Sequence, residues 1–332
     1  AARMFKILSR DGRRSQSREH PSTQYTPADP PSADNRSRTW CAAAIAALVL
    51  LALVASAAAG RTLSGSDCDD PPAAPATVLT PGENPAWNYA DPAIGPLKWG
   101  TLKMYDGSVA YPLCETGRKQ SPIDVSSSTA ASASGSLGVI ETPPASLPLP
   151  LKIKQSHGTP YFDCQPTVAN AAACGSLVEG NVTYVLVRIH FHAPSENTRD
   201  GHAFPVEMHM VHQAANGALA VLGVLFENTA NATDANPEMS KMMDRMTSTS
   251  GSIDVDTSRL FDSGSGFWRW SGSLTTPPCS EDVLWSLSKT VQKITAAHTE
   301  AFKTHLGSYP GTARPTQPLY GRTVQVYQPD DL

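Results

Sequence analysis

The stretch Arg188–His212, R-I-H-F-H-A-P-S-E-N-T-R-D-G-H-A-F-P-V-E-M-H-M-V-H, decides the fold of this chain. The segment from Tyr184 to His192 is rich in β-branched and aromatic residues, and Phe204 to Val211 has a similar character. Both segments are therefore predicted to be strands. Because Asp200-Gly201 marks a turn between them, the two strands are expected to pair antiparallel in one sheet.

Three histidines lie on one face of this predicted strand pair. Side chains two apart on a strand share a face, so His190 and His192 point the same way, and antiparallel pairing brings His209 beside them. A lone strand histidine is usually a packing or surface residue, but buried histidines without a metal leave nitrogens unsatisfied. Three converging imidazoles predict a Zn²⁺ site whose fourth position is open, as in catalytic zinc sites. Glu207 is expected behind these ligands, because a ligating histidine usually donates its other N–H to a carboxylate or carbonyl.

Three separated motifs resemble the alpha-class carbonic anhydrases in order and spacing: H-F-H-A-P-S-E-N at 190–197, E-M-H-M-V-H at 207–212 and S-L-T-T-P-P-C-S-E at 273–281. The resemblance covers roughly residues 87–328. It implies a mainly β (α+β) single domain, with a large, mostly antiparallel, twisted central sheet of about ten strands and short peripheral helices.

The same resemblance implies zinc-dependent, reversible hydration of carbon dioxide to bicarbonate and a proton through a zinc-bound hydroxide. Zinc lowers the pKa of its bound water to about 7, an effect for which carbonic anhydrase is the standard example. The expected ligands are a small-molecule substrate and product, CO2 and bicarbonate.

The resemblance also assigns roles to single residues. Thr275 matches the residue that accepts a hydrogen bond from the zinc hydroxide, and Glu196 matches the carboxylate that accepts the proton of that threonine. Tyr89 resembles a hydroxyl that orders proton-carrying waters. His157 falls near the position of the proton-shuttle histidine, with a plain surface histidine as the alternative. The other matches are Thr276 beside bicarbonate, Gln120 behind the zinc ligands, and Val211, Val221, Leu274 and Trp285 in the wall of the CO2 pocket.

Three positions depart from the pattern of the resembled family. Asn197 replaces the histidine of S-E-H, Trp270 replaces a tyrosine, and residues 312–315 read T-A-R-P in place of N-x-R-P. In the relatives that histidine and tyrosine form a buried network with the serine that matches Ser121. Because both partners change together, we expect a rebuilt network and unaffected zinc ligation.

Six cysteines are present and none forms a C-x-x-C pair, so a cysteine zinc site is not expected. The resemblance implies a disulfide between Cys114 and Cys279. Cys164 and Cys174 flank a short Ala-rich turn and are predicted to form a second bridge. Cys68 is left over, as a free thiol or as a link between two chains. Disulfides require an oxidising compartment, so an extracytoplasmic location is expected.

The N-terminal residues are predicted to direct the protein to a compartment or membrane and not to form part of a folded domain. Residues 1–39 read as a disordered basic, Ser/Pro-rich leader, 40–59 as an apolar segment without charge, 60–83 as a linker and 84–330 as the catalytic domain. The segment 40–59 is either a transmembrane (type II) anchor, which the long leader favours, or a cleaved signal that yields a secreted protein. A two-part organelle address, leading to a lumen such as that of the thylakoid, is the third alternative.

Charge and the remaining motifs narrow the function further. A net charge of −4 gives no basic surface, so no nucleic-acid partner is expected. A catalytically dead binding module is disfavoured because all three histidines are present, and H-E-x-x-H, typical of metallo-hydrolases on other folds, is absent. Asn181 and Asn231 begin glycosylation sequons, and the second is favoured because it lies in a predicted loop. Strands are predicted at 151–155, 160–164, 182–192, 205–212 and 218–226, and helices at 237–247 and 290–305.

Overall fold

A computed structural model of the chain describes residues 79–128, 131–132, 139–141, 149–156, 159–164, 174–262, 264–307 and 311–327. These residues belong to one compact unit, Ala76–Leu332. The predicted leader, the apolar segment 40–59 and Cys68 lie outside the described residues, so what the sequence predicts for them stays a prediction. In the described part, no helix has the length and apolar character needed to cross a membrane.

Strands dominate the described part of the chain, and their longest members are rich in the β-branched and aromatic residues that favour a pleated, half-buried surface. The strands are β1 (Asp124–Val125), β2 (Ala131–Ser132), β3 (Val139–Glu141), β4 (Leu149–Ser156), β5 (Thr159–Asp163), β6 (Ser176–Glu179), β7 (Val182–His192), β8 (Thr198–Arg199), β9 (Val206–Ala214), β10 (Leu219–Thr229), β11 (Ser252–Val255), β12 (Phe267–Ser273), β13 (Glu281–Ser288), β14 (Gln292–Thr295) and β15 (Gln325–Tyr327).

Thirteen of these strands form one sheet, whose main path runs β11-β4-β5-β7-β9-β10-β13-β12-β15-β2. Off this path, β14 pairs with β10, β6 with β7 and β3 with β6, while β1 and β8 form a separate parallel pair. The pairings β10–β13, β10–β14 and β15–β2 are parallel, and the others in the large sheet are antiparallel. This mixed, mostly antiparallel sheet confirms the predicted fold class.

In the described residues, short helices accompany the sheet: α1 (Leu113–Thr116), α2 (Pro237–Met243), α3 (Ala296–Leu306) and single 3-10 turns at Trp99–Thr101, Ala232–Asp234 and Thr257–Arg259. The helix predicted at 237–247 exists but ends at Met243, and Asn236 caps its first turn by accepting from two backbone N–H groups.

The helix predicted from residue 290 begins later, so this boundary was wrong. Residues 292–295 instead form β14, which pairs in parallel with residues 226–229 of β10 and buries Ile294 completely. Thr295 then caps α3 by accepting from the backbone N–H of His298. Pairing with β10 therefore overrides the local helical pattern in this segment.

The two faces of the central strands carry different side chains. On β7 and β9, Ile189, Phe191, Met208 and Met210 belong to the larger apolar cluster, which also contains residues of α2 and α3. The alternate positions of the same strands carry the three histidines. Because side chains alternate across a strand, one face forms the core with the helices and the other face builds the site.

Two disulfides tie loops to this sheet, as predicted. Cys114 and Cys279 join residues 165 positions apart, and Cys164 and Cys174 join residues 10 positions apart. The first connects the segment before Gln120 to the loop that follows Thr275. The second closes the loop between β5 and β6.

The long-range disulfide is expected to contribute more stability than the short one. In the chain-entropy account, the Cys114–Cys279 link stabilises by about 5 kcal/mol and the Cys164–Cys174 link by about 3 kcal/mol. Urea unfolding of the two double Cys→Ser variants measures both values. Equal losses for the two variants would contradict the prediction.

Candidate metal centre

Pairing between β7 and β9 brings the three predicted histidines together. His190 lies directly opposite His209, and His192 lies opposite Glu207, in antiparallel register. One ring nitrogen from each histidine lies within 4.8 Å of the others. Nδ1 of His209 is 3.3 Å from Nε2 of His190, so the rings meet at one point.

The outer nitrogens of two of these rings lie close to an oxygen atom of the protein. Nδ1 of His192 is 2.6 Å from the backbone carbonyl oxygen of Thr312, and Nε2 of His209 is 3.0 Å from Oε1 of Glu207. Their remaining nitrogens, Nε2 of His192 and Nδ1 of His209, therefore point to the shared centre with Nε2 of His190. Carboxylate or carbonyl support behind ligating imidazoles, shown here for His192 and His209, is usual in zinc sites.

The chemistry of this donor set fits zinc. Nε2 of His192 is buried and has no hydrogen-bond partner among the described residues, an arrangement that is costly unless a metal occupies the centre. Burial lowers the pKa of all three imidazoles, and their mutual charge repulsion adds to this for His190 and His209. Neutral imidazoles are the form that binds a metal, and three of them with an open fourth position define a catalytic zinc site.

Glu207 sits at the centre of a hydrogen-bond network behind the ligands. Its Oε2 accepts from the backbone N–H groups of Glu196 and Asn197 at 2.8 and 2.7 Å, and its Oε1 accepts from Nδ2 of Asn197 at 2.7 Å. The Asn197 side chain in turn accepts from the backbone N–H of Ile123 at 3.0 Å. Burial raises the pKa of Glu207 to about 7, against these hydrogen bonds, which favour the carboxylate.

Trp270 occupies a second position that departs from the resembled family. Its indole Nε1 donates to Oγ of Ser121 at 3.4 Å, and its ring stacks on Trp285 with centroids 5.6 Å apart. Oγ of Ser121 also accepts from the backbone N–H of Ser273 at 3.3 Å. The structure thus contains two separate networks, one through Asn197 and one through Trp270.

A threonine and a second buried glutamate lie beside the histidines. Oε1 of Glu196 accepts from the backbone N–H of Arg314 at 2.9 Å, and the Thr275 hydroxyl is the side-chain hydrogen-bonding group that lowers the pKa of this carboxyl. Oε2 of Glu196 lies 3.4 Å from Nε2 of His192, next to the point where the ligands converge. Burial raises the pKa of Glu196 well above its ordinary value, while the two hydrogen bonds favour its ionised form.

A cavity of about 660 Å³ opens over this centre. His190 and His192 form part of its wall, together with Thr312 and Pro277. Four of the other predicted site residues line it: Tyr89, Val211, Leu274 and Thr276. Two more, Val221 and Trp285, are buried in the apolar cluster against which Val211 and Leu274 pack. The apolar side of the cavity is therefore backed by a continuous packed layer.

Tyr89 is only partly buried, within an aromatic group at the edge of this cavity. Its ring makes edge-to-face contacts with Trp87 and Trp99, whose centroids lie 6.0 and 5.6 Å away. Burial raises the pKa of the Tyr89 hydroxyl well above its ordinary value, and the charge of Glu196 is a second, smaller cause. The phenol is therefore a neutral hydroxyl at physiological pH.

Of the predicted site residues, Gln120 lies away from the histidines and His157 lies outside the described residues. Gln120 does not reach the histidines: its Nε2 donates to the carbonyl of Cys279 and to Glu281, and its Oε1 accepts from Arg314. It therefore anchors the residue whose backbone holds Glu196. His157 lies outside the described residues, so its part in proton transfer stays a prediction.

Sequence reasoning missed the contributions of main-chain atoms and of Arg188. The carbonyl of Thr312 and the N–H of Arg314 support the site, although the T-A-R-P segment departs from the expected pattern. Main-chain carbonyl and N–H groups do not depend on which side chain is present, so the altered motif still supplies these two contacts. Arg188 lies two residues before His190 in the quoted stretch and lines the cavity.

Comparisons with known proteins agree with this site. The chain matches the family of eukaryotic-type carbonic anhydrases over residues 95–328. A carbonic anhydrase of Klebsiella pneumoniae is 33% identical over 239 residues, covering 72% of this chain and 89% of its own. One from Neisseria gonorrhoeae is 34% identical over 247 residues, covering 73% and 88%. The structure of an alpha-carbonic anhydrase from Thermovibrio ammonificans in complex with the inhibitor sulfanilamide shares 31% identity, with a TM-score of 0.61, over 72% of this chain and 98% of that one.

The fold and the three-histidine centre define a zinc enzyme of the alpha-carbonic anhydrase type, and the chain belongs to the eukaryotic-type carbonic anhydrase family. Its reaction is the reversible hydration of carbon dioxide to bicarbonate and a proton, with zinc as the cofactor.

Replacing Glu207 is expected to weaken the hold on zinc. Glu207→Gln removes the carboxylate behind His209, and loss of such a partner typically costs about 10-fold to 100-fold in metal affinity. Competition with a chromophoric chelator measures the zinc dissociation constant. Glu227→Gln, on the exposed part of β10, is the matched control. Equal zinc affinity in both variants would contradict the role of Glu207.

Restoring a tyrosine at position 270 alone is expected to destabilise the fold. Trp270→Tyr loses the stack on Trp285 and the bond to Ser121, which predicts a loss of about 1–3 kcal/mol in the free energy of unfolding. Zinc content stays unchanged, because the Asn197 network is separate. Thermal and urea unfolding test this, and a clear rise in Tm would contradict a stabilising role for the contacts of Trp270.

Proposed function

We propose that CO2 hydration by this chain depends on Thr275, held by Glu196, to orient the attacking oxygen beside the three histidines. The observation that carries the proposal is the position of Glu196, whose Oε2 lies 3.4 Å from Nε2 of His192 where the ligands converge, with Thr275 as the side chain that hydrogen-bonds to this carboxyl. When bound, zinc supplies a Lewis acid that lowers the pKa of water to about 7 and so provides a nucleophile at neutral pH.

The direction of the Thr275 hydrogen bond gives the orientation its physical basis. Because the hydroxyl donates its proton to Glu196, its oxygen lone pairs remain free to accept a hydrogen bond from the attacking group. The attacking oxygen, which still carries a proton, donates a hydrogen bond to the Thr275 hydroxyl. This bond directs the lone pair of the attacking oxygen toward the substrate carbon. Glu196 itself is held by the backbone N–H of Arg314, so the pair is rigid before substrate arrives.

The two sides of the cavity suit substrate and product differently. CO2 is small and apolar, and Val211 and Leu274 supply an apolar wall backed by Val221 and Trp285. Thr276, which lines the cavity next to Thr275, is the proposed polar contact for bicarbonate. Tyr89, as a neutral hydroxyl at the cavity edge, is proposed to order the waters that carry the released proton outward.

We further propose that the enzyme works outside the cytosol. Two disulfides favour an oxidising compartment. The segment 40–59 would direct the chain there as a type II membrane anchor, as a cleaved signal or as an organelle address, for example to the thylakoid lumen. Cys68 would then be available to link two chains.

In a secretory route, Asn181 and Asn231 are the proposed glycosylation sites. Asn181 is exposed at the turn between β6 and β7. Asn231 is also exposed, but its side chain accepts from Thr233 and donates to Asp234 within its own turn.

Replacing Thr275 tests the proposed function directly. Thr275→Ala leaves the attacking oxygen without its acceptor and is expected to lower kcat/KM for CO2 hydration by about 100-fold, the usual effect of deleting one preorganised hydrogen-bond partner. Stopped-flow assays on the zinc-loaded chain with its disulfides formed measure this. Zinc content and Tm should not change, because Thr275 is not a ligand.

Thr304→Ala on the outer helix α3 is the matched control, since that hydroxyl donates only to the Glu300 carbonyl. Full activity in Thr275→Ala, with zinc bound, would remove Thr275 from the mechanism. Glu196→Gln should reproduce the loss, because a carboxamide also offers a donor to the hydroxyl and disturbs its direction.

A further inference from the structure

A positively charged side chain stands in the cavity wall next to the metal centre. Arg188 lies on β7 two positions before His190, so the two side chains share one face of the strand. Both line the same cavity. The Arg188 side chain is 44% exposed, so its charge is neither buried in the core nor fully in solvent.

The neighbouring strand β5 holds this guanidinium in place. Asp163 lies opposite Arg188 and Tyr161 lies opposite His190 in antiparallel register. Nε of Arg188 donates to Oδ1 of Asp163 at 3.1 Å, and its Cζ lies 4.0 Å from the centre of the Tyr161 ring. An ion pair and a stacked ring therefore fix the plane of the guanidinium before any ligand arrives.

The ion pair does not neutralise the wall. Oδ2 of Asp163 is 2.7 Å from Nζ of Lys154, so one carboxylate is shared by two cations and a net positive charge remains. In the described part of the chain, Asp163 is the one carboxylate that lines the cavity. The terminal nitrogens of Arg188 make no hydrogen bond to any residue that the structure describes, which leaves their N–H donors available.

We propose that Arg188 forms a subsite for small oxyanions in the cavity wall and that its ligand in the reaction is the product bicarbonate. This inference rests on the proposed function, because CO2 is neutral and only the product carries a charge. A planar guanidinium offers paired N–H groups that match an oxyanion. The subsite binds bicarbonate between the histidine centre and bulk solvent in both directions of the reaction.

A purely structural role makes a different prediction. If Arg188 only braces β5 against β7, its loss should lower stability and leave anion affinity as it was. If it forms a subsite, anion affinity should fall even where the fold is intact. Asp163→Asn separates the two further: it frees both cations, so the subsite account predicts tighter anion binding, whereas bracing predicts lower stability alone.

Arg188→Met in the zinc-loaded full chain tests the proposal. Methionine removes the charge and the donors but keeps an unbranched stem against Tyr161. The nitrate and bicarbonate inhibition constants in stopped-flow CO2 hydration are expected to rise roughly twofold to fivefold, as for a partly exposed charge pair. Arg188→Lys should retain most of the affinity. Lys303→Met on α3, with the same change in net charge away from the cavity, should leave both constants unchanged.

A second readout does not depend on turnover. An anion that binds the native chain raises its Tm by mass action, so a nitrate titration at constant ionic strength gives a dissociation constant independently. The rise in Tm is expected to need more nitrate in Arg188→Met than in the wild type or in Lys303→Met.

The possible outcomes separate the two proposals. An active Arg188→Met variant with unchanged nitrate constants overturns the subsite and leaves the proposed function intact. A zinc-loaded wild type without CO2 hydration overturns the proposed function, and the Tm titration still decides the subsite. If Arg188→Met does not fold, the Asp163→Asn and Arg188→Lys variants decide. The subsite predicts a lower nitrate inhibition constant in Asp163→Asn and a nearly unchanged one in Arg188→Lys. Failure of both expectations contradicts the subsite.

Discussion

The site depends on the register between β7 and β9, which sets His190 opposite His209. Side chains alternate along a strand, so a slip by one residue would turn a histidine into the apolar core and bring its neighbour into the cavity. The apolar residues Phe191 and Met208, fully buried on the opposite face, hold the strands against such a slip. Packing on one face thus positions the metal ligands on the other.

The site also needs groups that hold its side chains in place, and these come from the loop at 312–315 and from Asn197. Thr312 supplies a carbonyl to His192, Arg314 supplies an N–H to Glu196, and Asn197 fixes Glu207. Two of these three contacts use main-chain atoms of a loop whose sequence departs from the resembled pattern. Substitution there is tolerated as long as the backbone keeps its path, which Gln120 and the bonds of the Arg314 side chain to Ser121 and Cys114 maintain.

Local pattern was sufficient for the strands that carry the site and for the fold class. The period of two in β7 and β9, with the Asp200-Gly201 turn, predicts both the pairing and the convergence of the histidines. It was not sufficient for β14, where parallel pairing with β10 outweighs a helical pattern, because a partner strand distant in sequence is invisible locally. The same limit applies to Arg188: only the pairing of β5 with β7 reveals Asp163 and Tyr161 around it.

The most direct test of the account is zinc stoichiometry and CO2 hydration in the His209→Ala variant of the full chain. His202→Ala, an exposed histidine shortly before β9, is the matched control. The account predicts one zinc per chain and fast hydration in the wild type and the control, with weak zinc binding and no enzymatic hydration in His209→Ala. A folded wild type that binds zinc but does not hydrate CO2, or a His209→Ala variant that retains both properties, would contradict it.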